Sequence, residues 1–425
     1  MLKFSEDFLQ FIWQNKILKP LPLITVNRKE ISIVKYGELN KNSGPDFFNA
    51  QVKIDNVILV GNIEVHIKTS DWLKHKHQHD TNYDNIILHV VYEHDTDLVQ
   101  NLNNNVEVLE LKNLIPESTF ENYKTLNNSK AKLPCSNQLE KCDNFKFLTW
   151  LERMTIERLE YKVKLIYTNF KLFNGDYTQT FYFLLLRNFG FKVNGLPFEL
   201  LARNLPITVL LKHSDNLMQL EALLLGISGL LNNQFKDAYI FQLQKEYDYL
   251  KHKYGLIELK KELFKFSKLR PANFPTVRLV QFARLINTKP SLFVAPYDFL
   301  NYEEILMALK INLEGYWKNH YVMDGNVTNR DLTIGITSKE NLIINTFAPF
   351  YFFYSKKTGK DDFGNFAIEL LNKCDLEENI KIKLFNEKKI ILKNSANSQA
   401  LINLYDNYCS KKNCLNCAVA SQILK

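Results

Sequence analysis

The chain has 425 residues, 46% hydrophobic and 24% charged, which excludes a disordered polymer and leaves room for two or three domains with substantial cores. Lysine and arginine exceed the acids by a net +8, a mild basic excess that fits a nucleic-acid partner without requiring one. Gly is scarce at 14 while Phe and Tyr number 30 and 20, which favours aromatic-rich helical cores over a Gly-punctuated nucleotide-binding sheet.

The opening MLKFSEDFLQFIWQNKIL carries acids within its apolar pattern and has no small-residue cleavage site. It reads as an amphipathic helix over 5–17, with Phe8, Leu9, Ile12 and Trp13 at helical spacing, and not as a signal peptide. Strands are expected at 30–36, 47–54, 57–68, 86–93 and 106–111, and Asp55-Asn56 gives a two-residue hairpin signal between the second and third. The polar segment SDWLKHKHQHDTNYDN forms a short crossover before the strand at 86. From residue 117 strand signals become rare and helical patterns take over, through WLERMTIERLEYKVKLIYTNF, YTQTFYFLLLRNFG, QLEALLLGISGLL, DAYIFQLQKEYDYLKHKYG, 276–287 and the tail SANSQALINLYDNYC. The prolines of KLRPANFP mark a structured turn. The expected fold is therefore α+β: a mixed α/β sheet domain over 1–116 and a large all-α domain over 117–425. No apolar run reaches membrane-spanning length, so a cytoplasmic protein without a membrane partner is expected.

The strand at 57–68 has an unusual face. Glu64, His66 and Lys68 fall at every second position and share one side, while Ile63, Val65 and Ile67 take the other. Asp46 opens the neighbouring strand. Paired carboxylates bind hard cations such as Mg²⁺ or Mn²⁺. The cation acidifies a bound water and stabilises charge on a phosphoryl oxygen, and a nearby Lys or His orients the reactants. The plain alternative is a strand with a solvated polar face.

Six of the nine histidines lie between 66 and 94: His66, His75, His77, His79, His89 and His94, with Asp80 and Asp84 among them. Imidazoles mixed with carboxylates suit Zn, Fe or Mn, so His75, His77, His79 and Asp80 join Asp46 and Glu64 as candidate metal ligands. The alternatives are an exposed His-rich loop and, for His89 between Leu88 and Val90, a satisfied core histidine.

A reducing compartment disfavours disulfides among the six cysteines. Cys409, Cys414 and Cys417 have the spacing C-x₄-C-x₂-C, which lets thiolates of one loop converge on an iron–sulfur cluster or Zn²⁺ with a fourth ligand from Cys135 or Cys142. Cys374 sits in a helical pattern and reads as a core residue. In the helical region, Arg153, Arg158, Lys162 and Lys164 read as a solvated face, with phosphate tracking as the alternative. Arg270, Asn273, Phe274 and Arg278 read as a capped turn packed in the core, with a nucleic-acid contact as the alternative.

Pro45-Asp46, Glu64 and the order helix, three strands, crossover, strand resemble the PD-(D/E)XK nuclease superfamily over the first quarter of the chain. The resemblance implies metal at Asp46 and Glu64 and catalysis by those two acids with His66 and Lys68. The chain departs from the pattern at the lysine, because His66 stands two residues after the acid and Lys68 one same-face step further. Either His66 replaces the lysine, Lys68 acts from a shifted position, or the site binds metal without cutting. The cysteines partly resemble those of the iron–sulfur exonucleases in that superfamily, although there the lone cysteine precedes the nuclease motifs and here Cys135 follows them.

GPDFFNA, GNIEVHIKTSDW, H-x-H-x-x-D-x-x-YDNIILHVV, LPC at 133–135, EALLLGISGLL, RPANFPTVRL and YC-x₄-CLNC occur in order. Together they resemble a bacterial family known only as a domain of unknown function, over nearly the full length. This favours Cys135 as the fourth thiol. The leading expectation is a metal-dependent nuclease acting on DNA or RNA. The alternatives are a non-catalytic nucleic-acid-binding or scaffold protein and a His/Asp metal-dependent hydrolase of small phosphoesters.

Overall fold

Asp55 and Asn56 form the tight turn between β4 (Phe47–Ile54) and β5 (Val57–Lys68), with Ile54 paired to Val57 and Asp55 in the left-handed region at φ 51°. This is the hairpin geometry that an Asp-Asn step permits. In the computed structural model, which describes residues 4–97, 106–298, 301–328, 332–386 and 392–425, this hairpin is the centre of a seven-stranded sheet. Around it stand β1 (Leu23–Ile24), β2 (Glu30–Lys35), β3 (Glu38–Leu39), β6 (Ile86–Glu93) and β7 (Glu107–Glu110). The order is β1-β2-β4-β5-β6-β7, with β3 also paired to β4.

Pairing is antiparallel from β1 to β5 and parallel from β5 to β7. The parallel step needs a crossover. Residues 69–85 supply it with a four-residue helix, Asp71–Lys74, and two 3₁₀ turns, His77–His79 and Thr81–Tyr83. Helix α1 (Glu6–Gln14) packs on β5 and buries Phe8, Leu9, Ile12 and Trp13. It stops short of the expected residue 17 because Lys16 turns left-handed at φ 56°. The two-residue strands β1 and β3 are too short to show an alternating pattern in the sequence.

Two local features aim the centre of the sheet. One extra residue on β4, between the Phe47–Ile63 and Ala50–Gly61 pairs, makes a bulge with Asn49 at φ 54°. On β5 both faces are covered, since Ile63 and Val65 on one side and Glu64 and His66 on the other are all buried. Gly61 explains how β5 and β6 approach so closely there: a Cβ at this position would lie 2.5 Å from Ile87 Cγ2 and 2.6 Å from the Asn85 carbonyl oxygen.

The described residues divide into two compact units, those of Met1–Trp150 with Leu404–Lys425, and those of Leu151–Asn386 with Ile390–Asn403. Overall the chain is α+β, a mixed sheet followed by a largely helical region. Helix 418–424 ends the first unit, where the Asn122 amide donates to the Ile423 carbonyl and the Asp143 N–H to Gln422 Oε1, both at 2.9 Å.

The second unit is a helical bundle around a phenylalanine-rich core in which Phe181, Phe189, Phe198, Phe282, Phe347 and Phe350 are fully buried. Its buried Glu221 accepts from Tyr239 Oη at 2.7 Å and Trp317 Nε1 at 2.8 Å, and burial pushes its carboxyl up to about 7. Lys162 leaves the solvated face expected for it, whereas Arg278 is buried as the packed-turn reading expects. Lys162 donates to the Ile344 carbonyl and Asn345 Oδ1, both at 3.1 Å, and Arg278 is buried over the Phe191 ring and bonded to Gln281. The RPANFP segment forms a 3₁₀ turn, Pro271–Asn273, with the Phe274 ring against Phe266 and Tyr321.

Gly61→Ala is expected to destabilise the protein by about 1–3 kcal/mol, because the new methyl group meets backbone and a branched side chain that cannot give way. A fall in the urea midpoint with an unchanged slope would bear this out, and an unaltered midpoint would contradict it.

Candidate functional site

Pairing between β4 and β5 reaches Phe47–Ile63, and β5 runs on for five more residues. Its next outward N–H groups are met by carboxylates. Val65 N–H donates to Asp46 Oδ2 at 3.0 Å, and Ile67 N–H to the Glu6 carboxylate of α1. Asp46 N–H donates in turn to Glu64 Oε2 at 3.1 Å, so the two acids interlock. Gln10 Nε2, one helical turn after Glu6, donates to Asp46 Oδ1 at 2.8 Å. Burial, then the charge of Glu64, holds the Asp46 carboxyl well above the usual carboxylate range. Burial does the same for Glu64 and raises Glu6 as well. Three acids thus crowd a region that penalises their charge.

Glu64 faces the histidines. Its Oε1 lies 3.4 Å from His66 Nε2 and 3.3 Å from His77 Nε2. His66 Nε2 also lies 3.1 Å from His75 Nδ1, and His66 Nδ1 lies 2.9 Å from His89 Nε2. One nitrogen from each of His66, His75 and His77 falls within 4.8 Å of the others. Burial, then the neighbouring imidazoles, depresses His66 to about 2, and burial takes His89 to about 3, so both rings stay neutral. His77 is lowered by burial as well. The buried His77 Nε2 makes no hydrogen bond, although it stands 3.3 Å from Glu64 Oε1, and His89 Nδ1 also has no hydrogen-bond partner.

The crossover builds this cluster on aromatic rings. Lys76 at φ 61° turns the chain back after the short helix. Trp72, 1% exposed, then sits against His66, His77 and His89, and Tyr83 stacks on His77 at 3.8 Å.

The remaining candidates lie apart from the cluster. The Lys68 ammonium stands 3.9 Å from Glu93 and 3.8 Å from Asp95. His79 is exposed, and exposed Asp80 caps the second 3₁₀ turn by accepting from Asn82 N–H. His94 bonds Thr69 and Asp97, and Asp84 is exposed. Sequence reading passed over Glu6, Gln10, Trp72 and Tyr83. Glu6 and Gln10 carry an i, i+4 signal on the polar face of α1, but nothing local tells which strand end that face meets.

The thiols of Cys135, Cys409, Cys414 and Cys417 gather in the first unit, close enough that each of the first three is raised by burial and then by its neighbours in the set. Cys135 is pushed up to about 12 and Cys414 to about 11. Cys417 is raised by burial, yet the N–H groups of Ala420 and Val419 and the Trp150 indole point at its sulfur and favour the thiolate. Cys142 is also near, but its thiol donates to the Val419 carbonyl at 3.7 Å. Cys374 is buried in the second unit's core.

Glu64→Gln keeps an acceptor for the Asp46 N–H and removes one ionisation. In metal-free wild type the folded state holds the Glu64 proton more tightly than the unfolded chain does. That contribution to stability is complete at and below the ordinary carboxylate range and is lost as pH rises toward and through neutrality. Glu64→Gln is therefore expected to exceed wild type in mildly alkaline buffer with EDTA by an amount on the order of 1–2 kcal/mol. Urea unfolding across the pH range checks this, and a wild type whose stability rises with pH would contradict it.

No curated protein and no solved structure shows significant similarity to the chain. The model of one family, described as a protein of unknown function (DUF2851), matches residues 6–380. The chain belongs to that family.

Proposed function

We propose that the first unit is a metal-dependent phosphodiester hydrolase acting on DNA or RNA, with a core like that of the PD-(D/E)XK nucleases. The observation that carries this reading is the convergence of metal-ligating atoms, two buried carboxyls and neutral imidazoles, at one end of β5. Asp46 and Glu64 are interlocked, and Glu64 Oε1 lies within 3.4 Å of His66 Nε2 and 3.3 Å of a His77 Nε2 that bonds to nothing. Lone pairs and carboxylate oxygens crowded at such distances fit a shared cation. The strand order, antiparallel through β5 and parallel to β6 across a crossover, supports the same core.

Asp46 and Glu64 are the oxygen ligands, suited to Mg²⁺ or Mn²⁺, and His66 and His77 shift the preference toward Mn²⁺ or another transition metal. Bound there, a divalent cation supplies a Lewis acid and a water of lowered pKa. The chain's own residues do the rest. His66 stands where the superfamily's lysine is expected, with its ring oriented by His89 at 2.9 Å. Exposed His75, 3.1 Å from His66, offers a proton path to solvent. Lys68, held by Glu93 and Asp95, is the weaker candidate for the lysine's role.

The grouping of His66, His75 and His77 favours one second reading, a His/Asp metal-dependent hydrolase of small phosphoesters. A non-catalytic nucleic-acid-binding scaffold would use the acids only to cap the β5 edge. The four thiols are proposed to hold Zn²⁺ or an iron–sulfur cluster in a structural role, since buried clustered sulfurs with N–H donors aimed at Cys417 fit thiolate ligands.

Purified protein with Mn²⁺ is expected to cleave labelled single- or double-stranded DNA or RNA. Glu64→Ala should lower the rate by about 10²-fold or more, His66→Ala comparably, and Lys68→Ala by much less. Cleavage that survives Glu64→Ala would remove this site from the chemistry, and turnover of small phosphoesters alone would favour the second reading. Metal analysis and visible absorbance of the purified protein should find zinc or iron that is lost in Cys417→Ser; full retention in that variant would dismiss the thiol centre.

A further inference from the structure

Within the first unit a cleft of about 780 Å³ opens beside α1. Its lining includes Gln10 and Asp46 from the acid cluster, Lys41 from the loop before β4, and Lys411, Lys412 and Cys414 from the C-terminal segment. The geometry points to this cleft as the groove for a single nucleic-acid strand, with Lys411 and Lys412 gripping its phosphates on a loop that the thiol cluster holds in place. The inference rests on the hydrolase reading above and adds the substrate path and the role of the cysteines.

Three observations carry it. The first is charge. Lys41, Lys411 and Lys412 are exposed, and none has a carboxylate partner among the described residues. Lys411 Nζ donates to Asn407 Oδ1 at 3.2 Å and Lys412 Nζ to the Asn127 carbonyl at 2.8 Å, neutral acceptors that place the ammonium groups and leave their charge uncompensated. Such groups attract phosphates. The acids that line the same cleft, Asp46 among them, lie on the α1 and β4 side, so a strand held by the lysines can present a phosphate to Asp46.

The second is backbone conformation. Lys412 sits at φ 52°, where a lysine costs about 1 kcal/mol more than glycine. A strained lysine aimed at a cleft has a use that glycine would not serve.

The third is position. Lys411 and Lys412 lie between Cys409 and Cys414, and the turn is closed by Lys412 N–H to the Cys409 carbonyl at 3.1 Å and Asn413 N–H to the Tyr408 carbonyl at 2.9 Å. Cys409 and Cys414 stand at the two ends of a five-residue step, so a metal taken up by the thiols, as proposed above, would fix the lysines between them. Cys409 and Cys414 are positioning residues for binding. The cleft volume falls within the range of small-ligand sites, about 300–1,000 Å³, so the proposal commits to a single strand and makes duplex binding an outcome of the test.

The test is fluorescence anisotropy of a labelled oligothymidylate over a range of monovalent salt, with no chelator, so that the thiol centre keeps its metal, and with no added Mg²⁺ or Mn²⁺, so that cleavage is not supported. Lys411→Gln with Lys412→Gln is expected to weaken binding at least ten-fold and to lower the salt slope by ~1.4, about 0.7 per phosphate released. Lys412→Gly should weaken binding while keeping or raising Tm, which separates lost contact from lost fold. Cys414→Ser should raise Kd and KM with kcat nearly unchanged, and duplex should compete poorly. Wild-type cleavage with Kd, KM and salt slope unaffected by the lysine changes would overturn this inference and leave the catalytic reading standing. Lysine-dependent binding without cleavage in any metal would support the groove and sink the catalytic reading. A wild type that binds no strand at all overturns the groove.

Discussion

A strand that outruns its neighbour leaves N–H groups that must be satisfied, and here they are satisfied by acids. Beyond Ile63, β5 passes its hydrogen bonds at Val65 and Ile67 to Asp46 and Glu6, and Asp46 passes its own N–H to Glu64. The exchange locks α1, β4 and β5 together at one point. It also forces carboxylates into a region where burial disfavours their charge. Ordinary structural bonding would be served by Asn or Ser without that penalty, and this excess of acid is what the proposed cation would offset.

The histidines complete the same logic from the other side. A neutral imidazole offers a lone pair, and burial keeps His66 and His89 neutral across the physiological range. Trp72 and Tyr83 supply the rigid surfaces against which His66 and His77 are set, so the cluster is positioned by packing more than by hydrogen bonding. The bulge at Asn49 interrupts the β4–β5 register beside Asp46, and the bare Gly61 lets β6 approach β5 closely.

The C-terminal segment belongs to the same unit as the sheet. Residues 404–425 return to it after the helical region, and the Asn122–Ile423 and Asp143–Gln422 bonds seat the final helix there. The thiols of Cys135 and the C-terminal trio meet where that return is made. A metal held by them, as proposed, would close a long loop of chain, the case in which a cross-link constrains the unfolded state most.

The sequence by itself determined the strands at 47–54, 57–68 and 86–93, because period-two alternation and β-branched runs are local signals, and it determined which side of β5 carries Glu64 and His66. The family match over residues 6–380 likewise rests on the linear chain. Tertiary structure decided the rest. It separated Lys68 from Glu64 although both share a face, because four residues along a strand place them near different partners. It left His79 and Asp80 outside the cluster while bringing in Glu6, Gln10 and His89. It also set Lys411 and Lys412 on the same cleft as Asp46, more than 360 positions away in the chain. Alternation and spacing fix only the face of one element, whereas the meeting of distant elements depends on which buried surfaces pack and which N–H groups still lack acceptors.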